Sequence, residues 1–148
     1  MAPEQHSSLT EPLTDLFVRE GYPGEKAGRE VVSIVIDWVL RSGQWVMITD
    51  PAHPVLWGWS GYVLVDDKTL ELIHSGGLDD FIADRVPLEF RSGPNVYITH
   101  SIVAPWAPRG TYRRLYELVV ARNRDASTVS AHLLKRDGKS RWMHRQLR

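Results

Sequence analysis

Residues 103–110 read VAPWAPRG and link an apolar strand pattern to a helical pattern. A strand that passes directly into a helix leaves the first N–H groups of the helix at the edge of the sheet. Together with the helix dipole, these groups favour an anion such as a pyrophosphate. Arginine adds to this, because a guanidinium group binds phosphate oxygens through two N–H groups. The residues predicted to hold a phosphate are Arg109, Gly110, Thr111, Arg113 and Arg114.

A histidine and a serine come just before this turn, on the same predicted strand. Alternation along a strand places His100 and Ile102 on one face, with Ser101 and Tyr97 on the other. An imidazole that faces a cleft titrates near neutral pH and could deprotonate an amine or hydroxyl nucleophile. His100 and Ser101 are therefore the candidate catalytic residues. A partly buried, hydrogen-bonded structural histidine is the alternative for His100.

The sequence predicts no metal site. Its six histidines, at positions 6, 53, 74, 100, 132 and 144, form no H-E-x-x-H or other metal-ligand spacing. Cysteine is absent, which excludes disulfides, thiolate zinc sites and a cysteine nucleophile. Ser60, in GWSGY, lies within a strand pattern and lacks the G-x-S-x-G spacing of a nucleophile elbow.

Hydrophobic spacing and turn residues divide the chain into helices and strands. The predicted helices are residues 8–20, 25–41, the later part of 75–85, and 111–122. The predicted strands are residues 44–49, 55–65, 68–74, 95–104 and 127–134, and residues 135–148 are predicted to be a turn and a short basic tail. Gly58 and Gly61 indicate a bulge or bend in the second strand, on which Trp57 and Trp59 are expected to share a face.

Two helices, then antiparallel-looking strands, then a strand–turn–helix–strand unit indicate an α+β, or mixed α/β, fold. The helix at 111–122 lies between two strands, so this unit must cross over to a parallel neighbour in an otherwise largely antiparallel sheet. With 148 residues, the chain is expected to form a single domain over residues 1–148 that ends in the basic tail.

The overall charge gives no reason to expect nucleic acid as a partner. Eighteen basic and eighteen acidic residues cancel, although basic residues are concentrated from Arg109 onward. The beginning of the chain lacks the basic and apolar regions of a signal peptide. The longest apolar run, VVSIVIDWVL, is too short and too polar to span a bilayer. We therefore expect a cytoplasmic protein that does not enter the membrane.

The turn and the helix after it contain, in order, Val103, Pro105, Arg109, Gly110 and Leu115. This order resembles the acyl-CoA-binding motif of the GNAT N-acyltransferase superfamily: an apolar strand, V-x-P, a short insert, R-G and a glycine-containing turn before a helix. The predicted order of elements is similar to that family as well. In the family's pattern two further glycines follow R-G, and here those places hold Tyr112 and Arg114.

The resemblance implies a GNAT-like fold and transfer of an acyl group to an amine or hydroxyl of a small molecule or a protein. The donor would be acetyl-CoA, another acyl-CoA or acyl carrier protein, with no metal. The resemblance also implies that Arg109, Gly110 and Thr111 hold the donor phosphate, aided by Arg113 or Arg114. The backbone of Ile102 and Val103 would line the pantetheine arm, and His100 would be the general base.

A fainter resemblance is to the RTX-toxin-activating lysine acyltransferases, which are GNAT-like and take the acyl group from acyl carrier protein. It is carried by QWVMIT and GWSGY, followed by YITHSIVAPW. That family relies on a histidine and an aspartate. The aspartate position falls here on Ser101, beside His100, and the sequence identifies no counterpart of the histidine.

A different class of function stays open: a binding or structural protein that keeps this fold without the chemistry. The side chains at the two glycine positions and the six tryptophans favour this alternative. Such a domain could form a homo-oligomer or serve as an assembly component, for instance of a phage particle.

Overall fold

The described part of the chain forms a mixed sheet of five strands with helices on both faces. The computed structural model describes residues 3–20, 28–77, 90–134 and 140–147. The strands are β1 (Trp45–Thr49), β2 (Leu56–Val65), β3 (Asn95–Val103), β4 (Thr128–Leu134) and β5 (Ser140–Gln146), side by side in that order. The helices are α1 (Pro3–Arg19), α2 (Arg29–Ser42), α3 (Asp67–Leu72) and α4 (Thr111–Arg122).

Strand directions follow from the connections. The hairpin-linked pairs β1–β2 and β4–β5 are antiparallel, as is β2–β3, whereas β3 and β4 are parallel because α4 carries the chain across between them. The predicted α+β fold, with two N-terminal helices and a strand–turn–helix–strand unit, is confirmed. The helix predicted at 25–41 begins at Arg29, and its first three residues lie outside the described residues. Every described helix is too short or too polar to cross a membrane.

Helices α1 and α2 cover one face of the sheet, and α4 covers the other. The side chains buried between the sheet and α1 and α2 include Leu13, Phe17, Ile36, Val39, Leu40, Trp59 and Ile102. Those buried between the sheet and α4 include Val46, Ile48, Tyr62, Val96, Leu115, Val119 and Val129. Each such side chain contributes about 1.5–3 kcal/mol on burial, so these two layers fix where the ends of β3 and α4 lie.

Gly58 lets the beginning of α4 lie close against the sheet. A Cβ atom at this position would be 2.9 Å from Thr111 Cγ2 and 3.0 Å from Leu115 Cδ1. Any side chain at position 58 would therefore require the Thr111 and Leu115 side chains of α4 to shift. This glycine is a packing requirement, and it holds the first turn of α4 beside the end of β3.

The strand predicted at residues 68–74 is wrong, because these residues form α3 and the start of a π-helical turn, Ile73–Gly77. A helix cap overrides the alternation in KTLELIH: the carboxylate of Asp66 accepts a hydrogen bond from the Thr69 N–H at 2.7 Å. Asp67 is also tied to β3, since its carboxylate accepts a bond from the Asn95 amide at 2.8 Å. Most of the helix predicted within 75–85 lies outside the described residues.

The prediction of a basic tail over residues 135–148 is wrong where the structure describes it, because residues 140–146 form β5 and pair with β4. The two faces of β5 contact different residues. Trp142 packs beside the buried Tyr97, whereas Arg145 points to the opposite face, with its guanidinium carbon 5.4 Å from the Tyr116 ring centre. The high content of basic residues hides a period of two that a strand requires.

A register shift in the β1–β2 hairpin separates two tryptophans. It falls between Ile48 and Thr49, where Ile48 pairs with Gly58 and Thr49 with Leu56. Trp57 consequently packs with the side chains under α4, while Trp59 packs with those under α1 and α2. The prediction that the two tryptophans share a face is therefore wrong, and the irregularity predicted near Gly58 is its cause.

A second shift lies between β2 and β3, at the other predicted irregular position. Gly61 pairs with His100 and the next residue of β2 pairs with Ile98, which leaves Thr99 as an extra residue in β3. Side chains on either side of such a bulge no longer follow simple alternation. Tyr97 therefore lies on the same face as His100, and the prediction that it lies on the opposite face is wrong.

Candidate functional site

The sheet opens between β3 and β4. Their parallel pairing runs from Asn95 opposite Thr128 to Ile98 opposite Ala131, although β3 continues to Val103 and β4 to Leu134. We call this opening the fork: its arms are residues 99–103 of β3 and 132–134 of β4. In the described part of the chain, no strand pairs with the β3 arm on this side. The fork is therefore a place where an extended ligand could lie between two strands.

The bulge at Thr99 begins the fork. The Thr99 hydroxyl donates a hydrogen bond to the carbonyl of Gly61 at 3.1 Å, which holds the extra residue in place. Bulges bend a strand and increase its twist. Because the bulge follows the last residue of β3 that pairs with β4, it explains why the two strands diverge there.

Backbone groups of the β3 arm point into the fork. The Ala104 N–H bonds to the Trp57 carbonyl at 2.8 Å, so the antiparallel register turns the N–H and C=O of His100 and Ile102 toward β2. Those of Ser101 and Val103 point the other way. An exposed strand edge of this kind binds an extended ligand by adding it as a further strand.

The turn after β3 directs the chain into α4. Thr111 closes it: its N–H and hydroxyl both donate to the Pro108 carbonyl, at 3.3 and 2.7 Å. Gly110 has φ of +90°, a left-handed conformation that favours glycine, and α4 has no side-chain cap there. The first turn of α4 therefore presents N–H groups without an intrahelical acceptor, which an anion can satisfy.

Exposed arginines surround this first turn. Arg109 and Arg114 are exposed, and Arg113 makes a 3.8 Å contact with Glu117, which is also exposed. Pairs of this kind contribute little and release the side chain easily. The turn and the first turn of α4 thus carry three exposed arginines.

Trp106 fixes the turn from the other side. Its indole N–H donates to the Leu56 carbonyl at 3.0 Å, and the Arg19 guanidinium lies 5.9 Å from its ring centre. Half of the residue remains exposed. The side chain thus anchors the turn to β2 and α1 while leaving a large aromatic surface in solvent.

His100 and Ser101 lie on opposite faces of β3. The His100 ring makes an edge contact with Phe17 of α1, with centres 6.2 Å apart, and its Nδ1 is 2.8 Å from the Thr99 hydroxyl. Burial lowers the pKa of His100 from 6.5 to about 4, so the ring is neutral at neutral pH. The Ser101 hydroxyl is 2.8 Å from that of Ser60, whose Oγ donates to the His100 carbonyl. The imidazole therefore cannot activate the serine hydroxyl across the strand.

The two residues predicted to line a pantetheine arm differ in access. The Ile102 side chain is buried under α1 and α2, and its backbone groups face β2. Val103 packs against the side chains under α4, while its backbone groups point into the fork. Within the predicted pair, Val103 is thus the residue whose backbone a ligand in the fork could reach.

Tyr112 lies along the fork rather than in the core. Its side chain belongs to the first turn of α4, the residue is 60% exposed, and its hydroxyl is 3.5 Å from the Ser101 carbonyl. Partial burial raises the pKa of the phenol. A ligand that paired with the Ser101 carbonyl would have to displace this weak contact.

Sequence reasoning missed a second histidine at the fork. His132 is the first residue of β4 beyond the paired segment, and its Nδ1 is 3.0 Å from the Tyr97 hydroxyl. The Trp142 ring is 4.7 Å from the His132 ring, and His74 stacks on Trp142 at 4.3 Å. Burial lowers the pKa of His132, and nearby His74 lowers it further. We call these four residues the His132 cluster.

The parallel crossover carried the signal that could have located His132. It places residues 127–134 beside residues 95–104, and alternation then puts His132 on the face of Ser130, which pairs with Tyr97. Reading residues 140–146 as a tail hid Trp142, which pairs directly with His132. The cluster is therefore a consequence of two strand pairings rather than of any local motif.

Two further features are separate from the fork. Within the described residues, no group of three histidine, aspartate or glutamate side chains is arranged to hold a metal ion. An open cleft of about 810 Å³ lies between α1 and the β1–β2 hairpin. It is lined mainly by apolar side chains, with Asp50 and His53 among its polar residues. None of the residues predicted for catalysis or phosphate binding lines this cleft.

The chain matches no protein-family model, and no curated protein matches it. What it does must therefore be inferred from the fork and the residues around it.

Proposed function

We propose that this protein is an acyltransferase of GNAT-like fold. It would move an acyl group from acyl-CoA, or from the phosphopantetheine of acyl carrier protein, to an amine or hydroxyl acceptor. The observation that supports this best is the fork, because its open β3 edge continues through the turn at 104–110 into the basic first turn of α4. A thioester donor needs those two things together: a slot for an amide-bearing arm and a site for phosphate.

The donor arm would lie along the β3 edge. Pantetheine contains two amide groups, and these can pair with the N–H and C=O groups of Ser101 and Val103 as a strand would. Its phosphate would then meet the N–H groups of Tyr112 and Arg113 at the start of α4, where the helix dipole also favours negative charge. This arrangement is the one that the resemblance of residues 102–118 implies.

The arginines would complete the phosphate site. Arg109 is on the turn, and Arg113 and Arg114 are on the first turn of α4, so they can approach a phosphate from two sides. A guanidinium binds phosphate through paired hydrogen bonds, each charge-assisted and worth about 1.5–3 kcal/mol. Arginine side chains would thus bind the phosphate that, in the family's pattern, is bound by backbone at the two further glycines.

Isothermal titration calorimetry with acetyl-CoA, longer acyl-CoAs and acyl carrier protein tests the proposal. We expect saturable binding of at least one donor, weakened about tenfold or more by Arg109→Gln or Arg114→Gln. Arg124→Gln is the matched control, since it removes an exposed arginine just beyond the far end of α4. Failure of every donor to bind at millimolar concentration would overturn the proposal.

The second candidate, an assembly protein without chemistry, is favoured by the outer face of α2. Val31 and Ile34 are 55% and 44% exposed on that helix, and Val18 on neighbouring α1 is 42% exposed. Exposed apolar side chains grouped in this way are typical of a protein contact surface.

Light scattering distinguishes this candidate. If α2 is an assembly surface, the wild-type protein forms a defined oligomer and Ile34→Glu returns it to a monomer. Val55→Glu serves as the control, because Val55 is exposed to a similar degree, 38%, in the β1–β2 connection. A wild-type monomer at all concentrations speaks against self-assembly through this face.

A further inference from the structure

We infer that His132 accepts the proton from the acceptor during acyl transfer, with Tyr97 holding its ring; this rests on the function proposed above. The His132 cluster is separate from the donor surface formed by the β3 edge and α4. It lies on the face of the sheet that α1, α2 and α3 share, at the closed end of the fork. A donor that enters from the α4 side would bring its thioester toward this cluster.

The position of His132 follows from strand pairing. Its neighbour Ala131 is the last residue of β4 that pairs with β3, opposite Ile98. Paired strands are about 4.8 Å apart, and a ligand that adds to the β3 edge takes the place of the missing strand. The first residue of β4 past the pairing is therefore the first whose side chain lies beside such a ligand.

Tyr97 fixes how the His132 ring is turned. The Tyr97 residue is only 1% exposed, and its hydroxyl lies 3.0 Å from Nδ1 of His132. When Nδ1 carries the ring proton and donates it to the phenol oxygen, Nε2 keeps its lone pair and faces away from Tyr97. That is the tautomer a general base needs.

The surroundings of His132 favour its neutral form. The groups that face it are the Tyr97 phenol from β3, the His74 imidazole from the π-helical turn, and Trp142 from β5, with His144 further along β5. Burial and His74 both lower the pKa of His132. Both effects favour the neutral ring, which has a lone pair that can accept a proton. His100 is a poorer base because its ring packs under Phe17 and its pKa is about 4.

The proposed step is balanced in atoms and protons. The acceptor nitrogen attacks the thioester carbonyl carbon, and its proton moves to Nε2 of His132. The carbon–sulfur bond then breaks, and the imidazolium returns that proton to the departing thiolate. The products are an amide and a free thiol, and His132 ends the cycle neutral.

The experiment measures thiol release from acetyl-CoA, with hydroxylamine as the acceptor probe, as a function of pH. His132→Gln should lower the enzymatic rate about 100-fold or more and leave the donor Kd unchanged. His74→Gln should move the ascending limb of the rate to higher pH, since it removes a group that lowers the pKa of His132. A residue with a merely structural role would not move that limb.

His144→Gln is the matched control. His144 lies on the same face, and its Nδ1 is likewise 2.7 Å from a hydroxyl, that of Ser130. It belongs to β5, however, and pairs with Ser130, which lies in the part of β4 still paired with β3. We expect this variant to keep the wild-type rate within about twofold, an order-of-magnitude bound for a change outside the reacting groups.

The possible outcomes separate the inference from the function on which it rests. No donor binding by calorimetry overturns the proposed function. Donor binding with no thiol release, or with His132→Gln as active as His144→Gln, overturns the role of His132 alone. If His132→Gln fails to fold, Tyr97→Phe and His74→Gln provide the test. If the ascending limb of the pH–rate profile lies at the wild-type pH in both variants, the inference is overturned.

Discussion

Two histidines stand on opposite arms of the fork, and their surroundings give them different chemistry. His100, on β3, packs its ring against Phe17 of α1 and bonds to Thr99 within its own strand. His132, on β4, is partly exposed and is held by Tyr97 from the neighbouring strand. The pKa of both is lowered, that of His100 to about 4.

The difference shows that the burial of the ring, rather than the residue type, decides what chemistry a histidine can perform. A ring under a helix is costly to charge, and its neutral form contributes to stability. A ring at an opening, oriented by a hydroxyl from another strand, can exchange a proton with a ligand. We therefore assign His100 to the folding of the β3 arm and propose His132 for the chemistry.

The largest effect expected from this comparison is a pH-dependent loss of stability due to His100. Its folded pKa of about 4 lies below the value of 6.5 expected in the unfolded chain. The stabilisation is thus fully present above pH 6.5 and is lost as pH falls toward 4, because the unfolded state binds a proton that the folded state does not. The loss should be about 2–3 kcal/mol, measurable by urea unfolding at pH 7 and pH 4.

His100→Gln tests the origin of that loss. The variant should be less dependent on pH over this interval, while His53→Gln, which removes an exposed histidine of the β1–β2 connection, should keep the wild-type dependence. Equal slopes for wild type and His100→Gln would show that the ring is not held neutral by burial, and the contrast between the two arms would fail.

The sequence predicts the parts of this architecture that have local causes. Proline and glycine delimit the turn at 104–110, and α4 begins and ends where its apolar spacing indicates. The α3 segment was predicted wrongly because an aspartate cap outweighs an alternating pattern, and β5 because basic residues mask its period of two. The first correction comes from a local cap, three residues long, whereas the second concerns a strand whose partner, β4, is a separate segment of the chain.

The fork itself has no local signature. It needs an extra residue, Thr99, opposite Gly61, and a parallel neighbour whose pairing ends at that same level. The contact between Tyr97 and His132 depends on the parallel register that pairs Tyr97 with Ser130, whereas the bulge decides that Tyr97 and His100 share a face. The turn at 104–110 and the basic first turn of α4 could thus be predicted from sequence, whereas the fork and the His132 cluster needed the exact strand pairings.

The smallest expected effect concerns Tyr112, which occupies the edge of the β3 arm without being buried in it. The residue is 60% exposed and makes a weak 3.5 Å contact with the Ser101 carbonyl. Tyr112→Gly should therefore cost only about 1 kcal/mol in free energy of unfolding, the usual cost of glycine in a helix. Removing the ring also uncovers the Ser101 carbonyl, so acyl-CoA should bind as tightly as to wild type or more tightly. Urea unfolding and calorimetry on the same variant give both numbers.

A loss of several kcal/mol, of the order seen when a core aromatic is removed, together with no donor binding, would mean that Tyr112 closes this edge as part of the structure. The β3 arm would then be no ligand slot, and the assembly function would become the better proposal.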